Sequence, residues 1–468
     1  MVHRYKNNGF CIVLDVNSGC VHVVDEIVYD LIPLVQAELE AQGTGSDGTE
    51  DKIRADVCGL AARAGAQTGY TPEMCKEAIE EILELKKSGM LFTEDVYRDY
   101  ISAMKNRQTV VKALCLHIAH DCNLACRYCF AEEGEYHGRR ALMSFETGKA
   151  ALDFLVKQSG SRVNLEVDFF GGEPLMNWQV VKELVAYGRS LEELYHKKFR
   201  FTLTTNGILL DDEIEEFVNR EMSNVVLSID GRREVHDRMR PFRGGQGSYD
   251  RVVPKYQKLA ESRGQQDYYV RGTFTRYNMD FSQDVLHLAD LGFTQISVEP
   301  VVAPAEADYA IRPSDVPRIL EEYDRLAAAL LQREKEGKGV TFFHFMIDLE
   351  GGPCVAKRLS GCGSGCEYLA VTPWGDLYPC HQFVGQEQFL MGNVREGILR
   401  TDIRDTFKAS NVYTKDKCRD CFAKFYCSGG CAANAWNFHK DINDAYDIGC
   451  ELQRKRVECA IMMKAAQK

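Results

Sequence analysis

Apolar and polar residues alternate with two different periodicities along this chain of 468 residues, one typical of strands and one typical of helices. Near the start, apolar runs over residues 10–16 and 20–24 flank Asn17-Ser18-Gly19, and this pattern predicts two strands joined by a tight turn. Helical spacing of apolar residues follows in three segments, over residues 26–40, 53–64 and 71–88. The polar stretch 42–51 predicts a loop between the first two of them. A hairpin followed by three helices predicts a small winged-helix-like unit.

The middle of the chain alternates short apolar runs with amphipathic segments. The apolar runs predict six strands, over residues 110–118, 164–170, 201–205, 225–229, 269–274 and 295–298. Helical patterns separate them, over residues 144–158, 177–195, 211–220, 249–262 and 281–289. Repeated strand–helix units require a parallel sheet with right-handed crossovers. Six such units suit a partial (β/α)6 barrel, in which ligands lie at the carboxyl ends of the strands.

The last third of the chain differs from the middle in its composition and in its apolar periodicity. Residues 311–350 are charged and mostly helical, which predicts a bridge to a further unit. Residues 351–468 are rich in Gly and Cys and show little apolar periodicity, so we expect a loop-rich unit that metal clusters hold in order. The length exceeds one ordinary core. We therefore predict four segments, over residues 1–100, 101–310, 311–350 and 351–468.

Composition and charge narrow the class of protein. Apolar residues make up 45% of the chain and charged residues 27%, which is typical of globular proteins. The net charge of −12 argues against a general nucleic-acid partner. No apolar run reaches the roughly 18 residues that a membrane helix needs, and the first residues lack the apolar core of a signal peptide. We therefore expect a cytoplasmic protein that binds neither membrane nor nucleic acid.

The 18 cysteines are strongly clustered. None lies between Cys129 and Cys354, whereas ten fall between Cys354 and Cys459. Clustered cysteines in a cytosolic chain indicate metal or cluster binding rather than disulfides. Six others are interpreted as ordinary buried thiols: Cys11, Cys20, Cys58, Cys75, Cys115 and Cys459.

The first cluster of cysteines directly follows the first strand of the predicted barrel. Cys122, Cys126 and Cys129 have the spacing Cys-xxx-Cys-xx-Cys, and Phe130 follows. Three soft thiolates can hold three irons of a 4Fe–4S cube and leave the fourth iron open to a chelating ligand. A zinc site is the alternative, with its fourth ligand taken from one of the nearby histidines His117, His120 or His137.

Small polar motifs end the later strands of the predicted barrel. Gly171-Gly172-Glu173-Pro174 follows the second strand, where two glycines allow close approach of a ligand and the proline can start a helix. Thr204-Thr205-Asn206-Gly207 ends the third strand and Ser228-Ile229-Asp230-Gly231 the fourth. Glu299 lies at the end of the sixth. Arg240 could pair with a carboxylate of a ligand, and a surface ion pair is an equally good interpretation.

These motifs, in this order, resemble those of radical S-adenosylmethionine (SAM) enzymes. The resemblance implies a SAM-chelating cube held by Cys122, Cys126 and Cys129. It also implies SAM contacts from the rim of the barrel, in which the Gly-Gly-Glu-Pro segment holds the amino group and Glu299 lines the adenine side. The implied cofactor-binding residues are Phe130, Gly171, Gly172, Glu173, Pro174, Thr205, Asn206, Ser228, Asp230, Arg240 and Glu299.

The C-terminal cysteines resemble the SPASM extension of peptide-modifying radical SAM enzymes. Their pattern is Cys418-xx-Cys421-xxxxx-Cys427-xxx-Cys431 with a later Cys450, preceded by Gly375-xxxx-Cys380. The resemblance implies one auxiliary cluster on Cys418, Cys421, Cys427 and Cys450. It implies a second on Cys362, Cys380 and Cys431, whose fourth ligand is Cys354, Cys366, a substrate thiolate or none. Three 4Fe–4S clusters are therefore expected; two zinc sites are the alternative for this region.

The whole chain is similar to the maturases of SCIFF peptides, which are Cys-rich ribosomal peptides. Supporting stretches are residues 128–136, 169–175 and 378–383, and the first unit resembles the element that binds leader peptides. The resemblance implies thioether crosslinks from a Cys sulfur to the α-carbon of an acceptor, by resemblance a Thr. A 5′-deoxyadenosyl radical starts the reaction. A flavodoxin or ferredoxin is the implied reductant.

Two alternatives stay open at this point. Anaerobic sulfatase maturases, which form formylglycine, carry an Asp base directly after the Gly-xxxx-Cys motif. His381 stands at that position here, and a histidine can act as a base near neutral pH. A non-catalytic iron–sulfur carrier or zinc scaffold is the other alternative, but it does not explain the rim motifs.

Overall fold

The computed structural model describes residues 1–41, 56–101, 108–136, 138–350 and 355–467. The predicted loop 42–51, the start of the helix predicted over 53–64, His137 and Cys354 therefore lie outside the described residues. Within the described residues, none of the helices combines the length and the apolar character that crossing a bilayer requires.

The N-terminal unit is a three-stranded antiparallel sheet followed by helices. Its strands, in the order β1-β2-β3, are β1 (Val2–Asn7), β2 (Phe10–Asp15) and β3 (Val21–Val24). The helices are α1 (Glu26–Ala41), α2 (Val57–Thr68) and α3 (Pro72–Lys87). Thr71 caps α3 by accepting a hydrogen bond from the Met74 amide at 3.3 Å. The predicted winged-helix-like arrangement is confirmed, with β1 as an additional strand.

Six parallel strands form the partial barrel that the sequence predicts. They are β4 (Ala113–His120), β6 (Asn164–Gly171), β7 (Lys198–Thr205), β8 (Met222–Ser228), β9 (Tyr268–Phe274) and β10 (Gln295–Pro300), with the short β5 (Ala141–Leu142) antiparallel to β4. The helices of this part are α4 (Phe145–Gln158), α5 (Trp178–Tyr195), α6 (Asp212–Glu221), α7 (Arg233–Met239), α8 (Tyr249–Ser262) and α9 (Phe281–Asp290). Every residue of β4 is buried, so the cysteine loop begins at the centre of the fold.

The barrel sheet continues into the bridge and the C-terminal region. After α10 (Val316–Lys335), β11 (Thr341–Phe342) pairs with β10 in parallel. After α11 (Val355–Ser360), β12 (Tyr368–Val371) pairs in parallel with β4, and β13 (Asp376–Tyr378), β14 (Gly392–Asn393) and β15 (Gly397–Ile398) extend the sheet. The C-terminal region therefore shares a sheet with the barrel.

The rest of the C-terminal region consists of loops and helices. The helices are α12 (Thr401–Ala409), α13 (Asp416–Arg419), α14 (Lys424–Cys427), α15 (Ala432–His439) and α16 (Asp447–Ala465). The region is loop-rich as predicted, but it holds more regular structure than its apolar pattern indicates. The buried Leu369 and Leu377 of the β12–β13 hairpin explain this, because they pack into the same core as the barrel.

Several contacts hold the N-terminal unit against the rest of the chain, including the following three. The ring of His3 stacks on Phe422 with centroids 3.5 Å apart. The Asn7 amide donates to Asp324 of α10 at 2.7 Å. Asp95, which follows the last helix of the unit, forms an ion pair of 2.8 Å with Lys424 of α14.

Candidate active site

The cysteine loop after β4 is held by the segment that ends α7. The Ala125 amide donates to the Pro241 carbonyl and the Arg127 amide to the Met239 carbonyl, both at 2.9 Å. The Arg243 guanidinium donates to the Cys122 carbonyl at 2.7 Å. Hydrogen bonds on both sides of Cys126 therefore fix the backbone of the loop.

The three thiols of this loop are close neighbours. Burial raises the pKa values of Cys122 and Cys126 to about 12, and the charges of neighbouring thiols, Cys129 among them, add to the rise. Three soft sulfur donors on one loop fit a cluster with three protein ligands. Cluster binding must supply the free energy that deprotonates them.

Two of the three histidines of the zinc alternative, His117 and His120, are turned toward each other. His117 Nδ1 lies 3.0 Å from His120 Nε2, and both rings pack on Tyr136. Among the residues described, no three His, Cys, Asp or Glu side chains are arranged around a single metal ion. An iron–sulfur cube places each thiolate on a different iron, so its ligands need not converge on one point.

The two glycines after β6 allow contact with the cysteine loop. A Cβ on Gly171 would lie 2.4 Å from the Ala119 carbonyl oxygen, and one on Gly172 would lie 2.0 Å from the Asp121 carbonyl oxygen. The Gly172 amide also donates to Ala119 at 2.7 Å. At these two Cα positions the space is therefore filled by backbone next to Cys122, and a SAM contact of this segment stays a prediction.

Glu173 ties the end of β6 to the end of β7. Its fully buried carboxylate accepts hydrogen bonds from the Leu175 amide at 2.9 Å, the Thr205 hydroxyl at 2.8 Å and the Asn206 amide at 2.7 Å. Burial raises the pKa of Glu173 to about 7, and these donors oppose the rise. Pro174 then begins a short 3-10 helix, as its position predicts.

Asn206 connects the same rim to the first cysteine. Its side-chain amide nitrogen donates to the side-chain oxygen of Asn123 at 2.7 Å and lies 3.6 Å from the Cys122 sulfur. The amide oxygen accepts from the Ile208 backbone at 3.1 Å, which fixes the orientation of the side chain. Asn206 is therefore placed to contact a ligand of the cysteine loop.

Asp230 and Arg240, both predicted to contact SAM, contact each other. The fully buried Asp230 accepts from the Arg240 Nε at 3.0 Å, from the Tyr128 hydroxyl at 2.7 Å and from the Thr273 amide at 3.1 Å. Arg240 therefore forms an ion pair, as the second interpretation of the sequence held, but the Arg240–Asp230 pair is buried rather than on the surface. Through Tyr128, the pair supports the loop between Cys126 and Cys129.

Three further predicted residues lie at the carboxyl ends of the strands or on the cysteine loop. The Ser228 carbonyl, at the end of β8, accepts from the Tyr256 hydroxyl at 3.2 Å. Glu299 of β10 forms an ion pair with Arg271 and lines a cavity of about 200 Å³. Phe130 is 46% exposed, and its ring centroid lies 5.6 Å from that of His381. The cysteine loop therefore meets the C-terminal region at this pair of rings.

Two groups of neighbouring thiols are found in the C-terminal region. The charges of Cys427, Cys418 and Cys421 act on Cys450, whose pKa burial raises to about 12. In the other group, burial raises the pKa of Cys380, and the charges of Cys431 and Cys362 add to this. The ligand roles of these thiols stay predictions.

Cys366 is one of the two cysteines considered as the fourth ligand of the second group. The Cys366 thiol donates to the Arg404 carbonyl at 3.3 Å. Cys366 also lines a cavity of about 50 Å³ together with Cys362. Cys354, the other cysteine considered, lies outside the described residues.

Several residues of the site were missed by sequence reasoning. Tyr128, Asn123 and Arg243 all stabilise the cysteine loop. The first two are polar residues inside the cysteine motif, and that position was an available signal. Arg243 had none, because its contact with Cys122 spans 121 residues.

Comparisons with known protein families support this geometry. A family model described as the radical SAM superfamily matches residues 116–269, and one described as an iron–sulfur cluster-binding (SPASM) domain matches residues 362–422. The chain is 30% identical over 288 residues to an uncharacterized protein of Methanocaldococcus jannaschii, which is 61% of this chain and 90% of that protein. It is 25% identical to a cysteine-type anaerobic sulfatase-maturating enzyme of Clostridium novyi, over 71% of this chain and 90% of that enzyme.

Two solved structures share the architecture. The sulfatase-maturating enzyme anSMEcpe with bound AdoMet and the Cp18Cys peptide gives a TM-score of 0.62 at 18% identity, covering 76% of this chain and 98% of that one. The structure of Streptococcus suis SuiB bound to its precursor peptide SuiA gives a TM-score of 0.52 at 16% identity. The match covers 96% of this chain and 98% of the SuiB chain. At these identities the likeness concerns the fold.

The fold and the thiol loop define a radical SAM enzyme with a C-terminal extension for iron–sulfur clusters. The chain belongs to the radical SAM superfamily and carries a SPASM domain. Membership implies SAM and a 4Fe–4S cluster as cofactors, with auxiliary iron–sulfur clusters in the SPASM domain. The class is related to sulfatase maturases and peptide modifiers.

Proposed function

We propose that this enzyme forms thioether crosslinks between a Cys sulfur and the α-carbon of an acceptor residue, such as Thr, in a Cys-rich ribosomal peptide. The observation that carries the proposal is the N-terminal unit. The SuiB structure bound to its precursor peptide covers 96% of this chain, whereas the sulfatase-maturating structure covers 76%. An enzyme with a separate peptide-binding unit suits a substrate that carries a leader sequence.

The outer edge of β3 is the proposed site for the leader peptide. In the described part of the chain, β3 has β2 as its only strand partner, and Val23 on β3 is 52% exposed. An extended peptide can add to such an edge through main-chain hydrogen bonds. Alternate side chains of β1, by contrast, contact helices outside the unit: His3 lies 2.9 Å from Glu458 of α16, and Asn7 donates to Asp324 of α10 at 2.7 Å.

The residues of the barrel hold the reacting groups in place. When bound, the cluster and SAM supply the 5′-deoxyadenosyl radical that takes hydrogen from the acceptor. Asp230 and Tyr128 fix the loop that presents the three thiols, and Glu173 fixes the neighbouring strand ends. Such preorganisation is the part of the chemistry that a protein contributes to a cofactor. The C-terminal thiols are proposed to hold two auxiliary clusters, which would make three in all and give the surplus electron a route out.

The test uses anaerobically reconstituted protein with dithionite, SAM and a Cys-rich precursor peptide. The proposal predicts formation of 5′-deoxyadenosine and a peptide that loses two hydrogens per crosslink, with a Cys-to-α-carbon bond in tandem mass spectra. Cys129→Ala is expected to abolish both products, while Cys58→Ala, which changes an exposed thiol on α2, retains them. An unmodified peptide in the presence of rapid 5′-deoxyadenosine formation would contradict the proposal.

Formylglycine formation is the second candidate. His381 stands where sulfatase maturases carry an Asp base, next to Phe130 of the cysteine loop. Burial lowers the pKa of His381 to about 4, so the imidazole is neutral but weakly basic. Supplying a sulfatase-type Cys peptide alongside the Cys-rich peptide separates the candidates, because conversion of Cys to formylglycine removes sulfur whereas a thioether retains it.

A further inference from the structure

Lys415 is a buried cation whose hydrogen bonds go to backbone carbonyls. It lies just before α13 and is 4% exposed. Its ammonium donates to two backbone carbonyls, Gly429 at 2.9 Å and Asp444 at 3.4 Å. Across the described ranges of the chain, no Asp or Glu lies within ion-pair distance of it. Burial of a charge is costly unless an opposite charge compensates it.

Neighbouring lysines of the same region are compensated in the usual way. Lys424 is equally buried, but it forms an ion pair of 2.8 Å with Asp95. Lys417, two residues from Lys415, is half-exposed and pairs with Asp447 at 2.6 Å. The lack of an acidic partner therefore distinguishes Lys415 from the lysines around it and calls for another counter-charge.

Both groups of C-terminal thiols lie beside this ammonium. The Gly429 carbonyl, which accepts from the ammonium at 2.9 Å, belongs to the residue midway between Cys427 of the first group and Cys431 of the second. In agreement with this position, burial raises the pKa of Cys418 and of Cys427, and the charge of Lys415 opposes the rise. Lys415 also lines the cavity that contains Cys362 of the second group. One cation thus acts on both groups.

Other charges near the thiols act on one group. Arg454 favours the ionised form of Cys450, and the Asp444 carboxylate disfavours that of Cys418. The two thiols affected, Cys450 and Cys418, belong to the same group, which consists of Cys418, Cys421, Cys427 and Cys450. Of the charges of Lys415, Arg454 and Asp444, that of Lys415 is the one that acts on thiols of both groups.

We propose that Lys415 is a positioning residue that serves as the shared counter-charge of the two auxiliary iron–sulfur clusters. The proposal rests on the assignment of both thiol groups to clusters. A cluster ligated by thiolates is negatively charged, and each one-electron reduction adds a negative charge. A fixed ammonium stabilises the reduced form more than the oxidised form, so it raises the reduction potentials of both clusters.

The expected effect is a paired shift. Removing the charge is expected to change each reduction equilibrium constant by about tenfold, which corresponds to about 59 mV for a one-electron couple. Both potentials fall, because one charge acts on both clusters. A residue that only fills space would leave both potentials where they are.

The experiment compares three variants of the full chain after anaerobic reconstitution. Lys415→Gln removes the charge but keeps N–H donors for the Gly429 carbonyl, Lys415→Arg keeps the charge, and Lys417→Gln removes a neighbouring exposed charge. Each is made with Cys122, Cys126 and Cys129 changed to Ala, so that redox titration followed by electron paramagnetic resonance reports the auxiliary clusters alone. The predicted result is a fall of both potentials in Lys415→Gln, with wild-type potentials in the other two.

Several results would overturn the proposal. These are unchanged potentials in a fully loaded Lys415→Gln variant, a shift of one cluster alone, or an equal shift in Lys417→Gln. If the Lys415→Gln variant loses iron, the Lys415→Arg variant provides the test. Retained iron and wild-type potentials in Lys415→Arg support the proposal that Lys415 acts as a counter-charge. Loss of iron in both variants overturns the proposal. Iron content and spectra of the parent protein report separately whether two auxiliary clusters form, and peptide crosslinking plays no part in the measurement.

Discussion

The two thiol-bearing regions of this enzyme are built in opposite ways. The loop of Cys122, Cys126 and Cys129 follows a fully buried strand and is held by Tyr128 and Asp230 across the barrel. In the C-terminal region, Cys418 and Cys427 lie on helices of four residues each. Helices of that length are not stable alone. The barrel therefore preforms its cysteine loop, whereas we expect the C-terminal thiols to take their order from bound clusters.

Removal of iron gives the largest test of this difference. Chelation under anaerobic conditions is expected to lower the hydrogen-exchange protection of α13 and α14 by about a hundredfold, because cluster binding contributes directly to folding there. Backbone amides of residues 122–129 are expected to change far less. Equal loss in the two regions, measured by mass spectrometry, would remove the distinction.

Glu173→Ala tests the preformed side of the comparison. The change leaves three buried donors without their acceptor, so we expect a loss of about 4 kcal/mol in the free energy of unfolding. Glu213→Ala is the matched control, since Glu213 is exposed and pairs with Lys182 on the surface; its cost is expected to stay below about 0.5 kcal/mol. Similar losses in the two variants, by denaturant titration, would show that Glu173 is not an anchor.

The pH dependence of the free energy of unfolding tests the contact between His236 and the backbone of Asp230. His236 accepts from the Asp230 amide at 3.3 Å, and burial lowers the pKa of His236 to about 4. Its contribution is therefore present above the unfolded pKa of about 6.5 and is lost as the pH falls toward 4, up to about 3 kcal/mol. His236→Gln is expected to flatten this part of the profile relative to wild type. The exposed control His196→Gln should keep the wild-type slope.

The smallest effect concerns the proposed leader site. Val23→Lys places a charge on the outer edge of β3, which disfavours strand addition. We expect binding of a fluorescent precursor peptide to weaken about tenfold, or about 1.4 kcal/mol. Val163→Lys, a change of an equally exposed valine outside the N-terminal unit, is the control. Unchanged affinity of Val23→Lys by fluorescence anisotropy would place the leader elsewhere.

The sequence predicted the regular parts of the fold well, since apolar periodicity marks every strand of the barrel. It missed β1, because Val2–Asn7 alternates polar residues with few apolar ones. A signal was present: Asn8-Gly9 forms the turn into β2, with φ angles of 46° and 85°. It also missed α7, a helix of seven residues.

The candidate site could be predicted only in part for a different reason. The resemblance already groups Cys418, Cys421, Cys427 and Cys450, and in the structure the charges of the first three act on Cys450. The contact between Tyr128 and Asp230 spans 102 residues and exists only once β4 and β8 lie in one barrel. The local sequence pattern indicates which residues are candidate ligands. The residues that fix these ligands in position through hydrogen bonds can be identified only from the complete fold.

The most direct test of the proposed function follows one hydrogen atom. A precursor peptide carrying deuterium at the α-carbon of its acceptor residue is incubated with the reconstituted enzyme, SAM and reductant. The proposal predicts that this deuterium appears in 5′-deoxyadenosine as the thioether forms. Transfer of deuterium from a labelled Cys β-carbon instead, with formylglycine as the product, would contradict it.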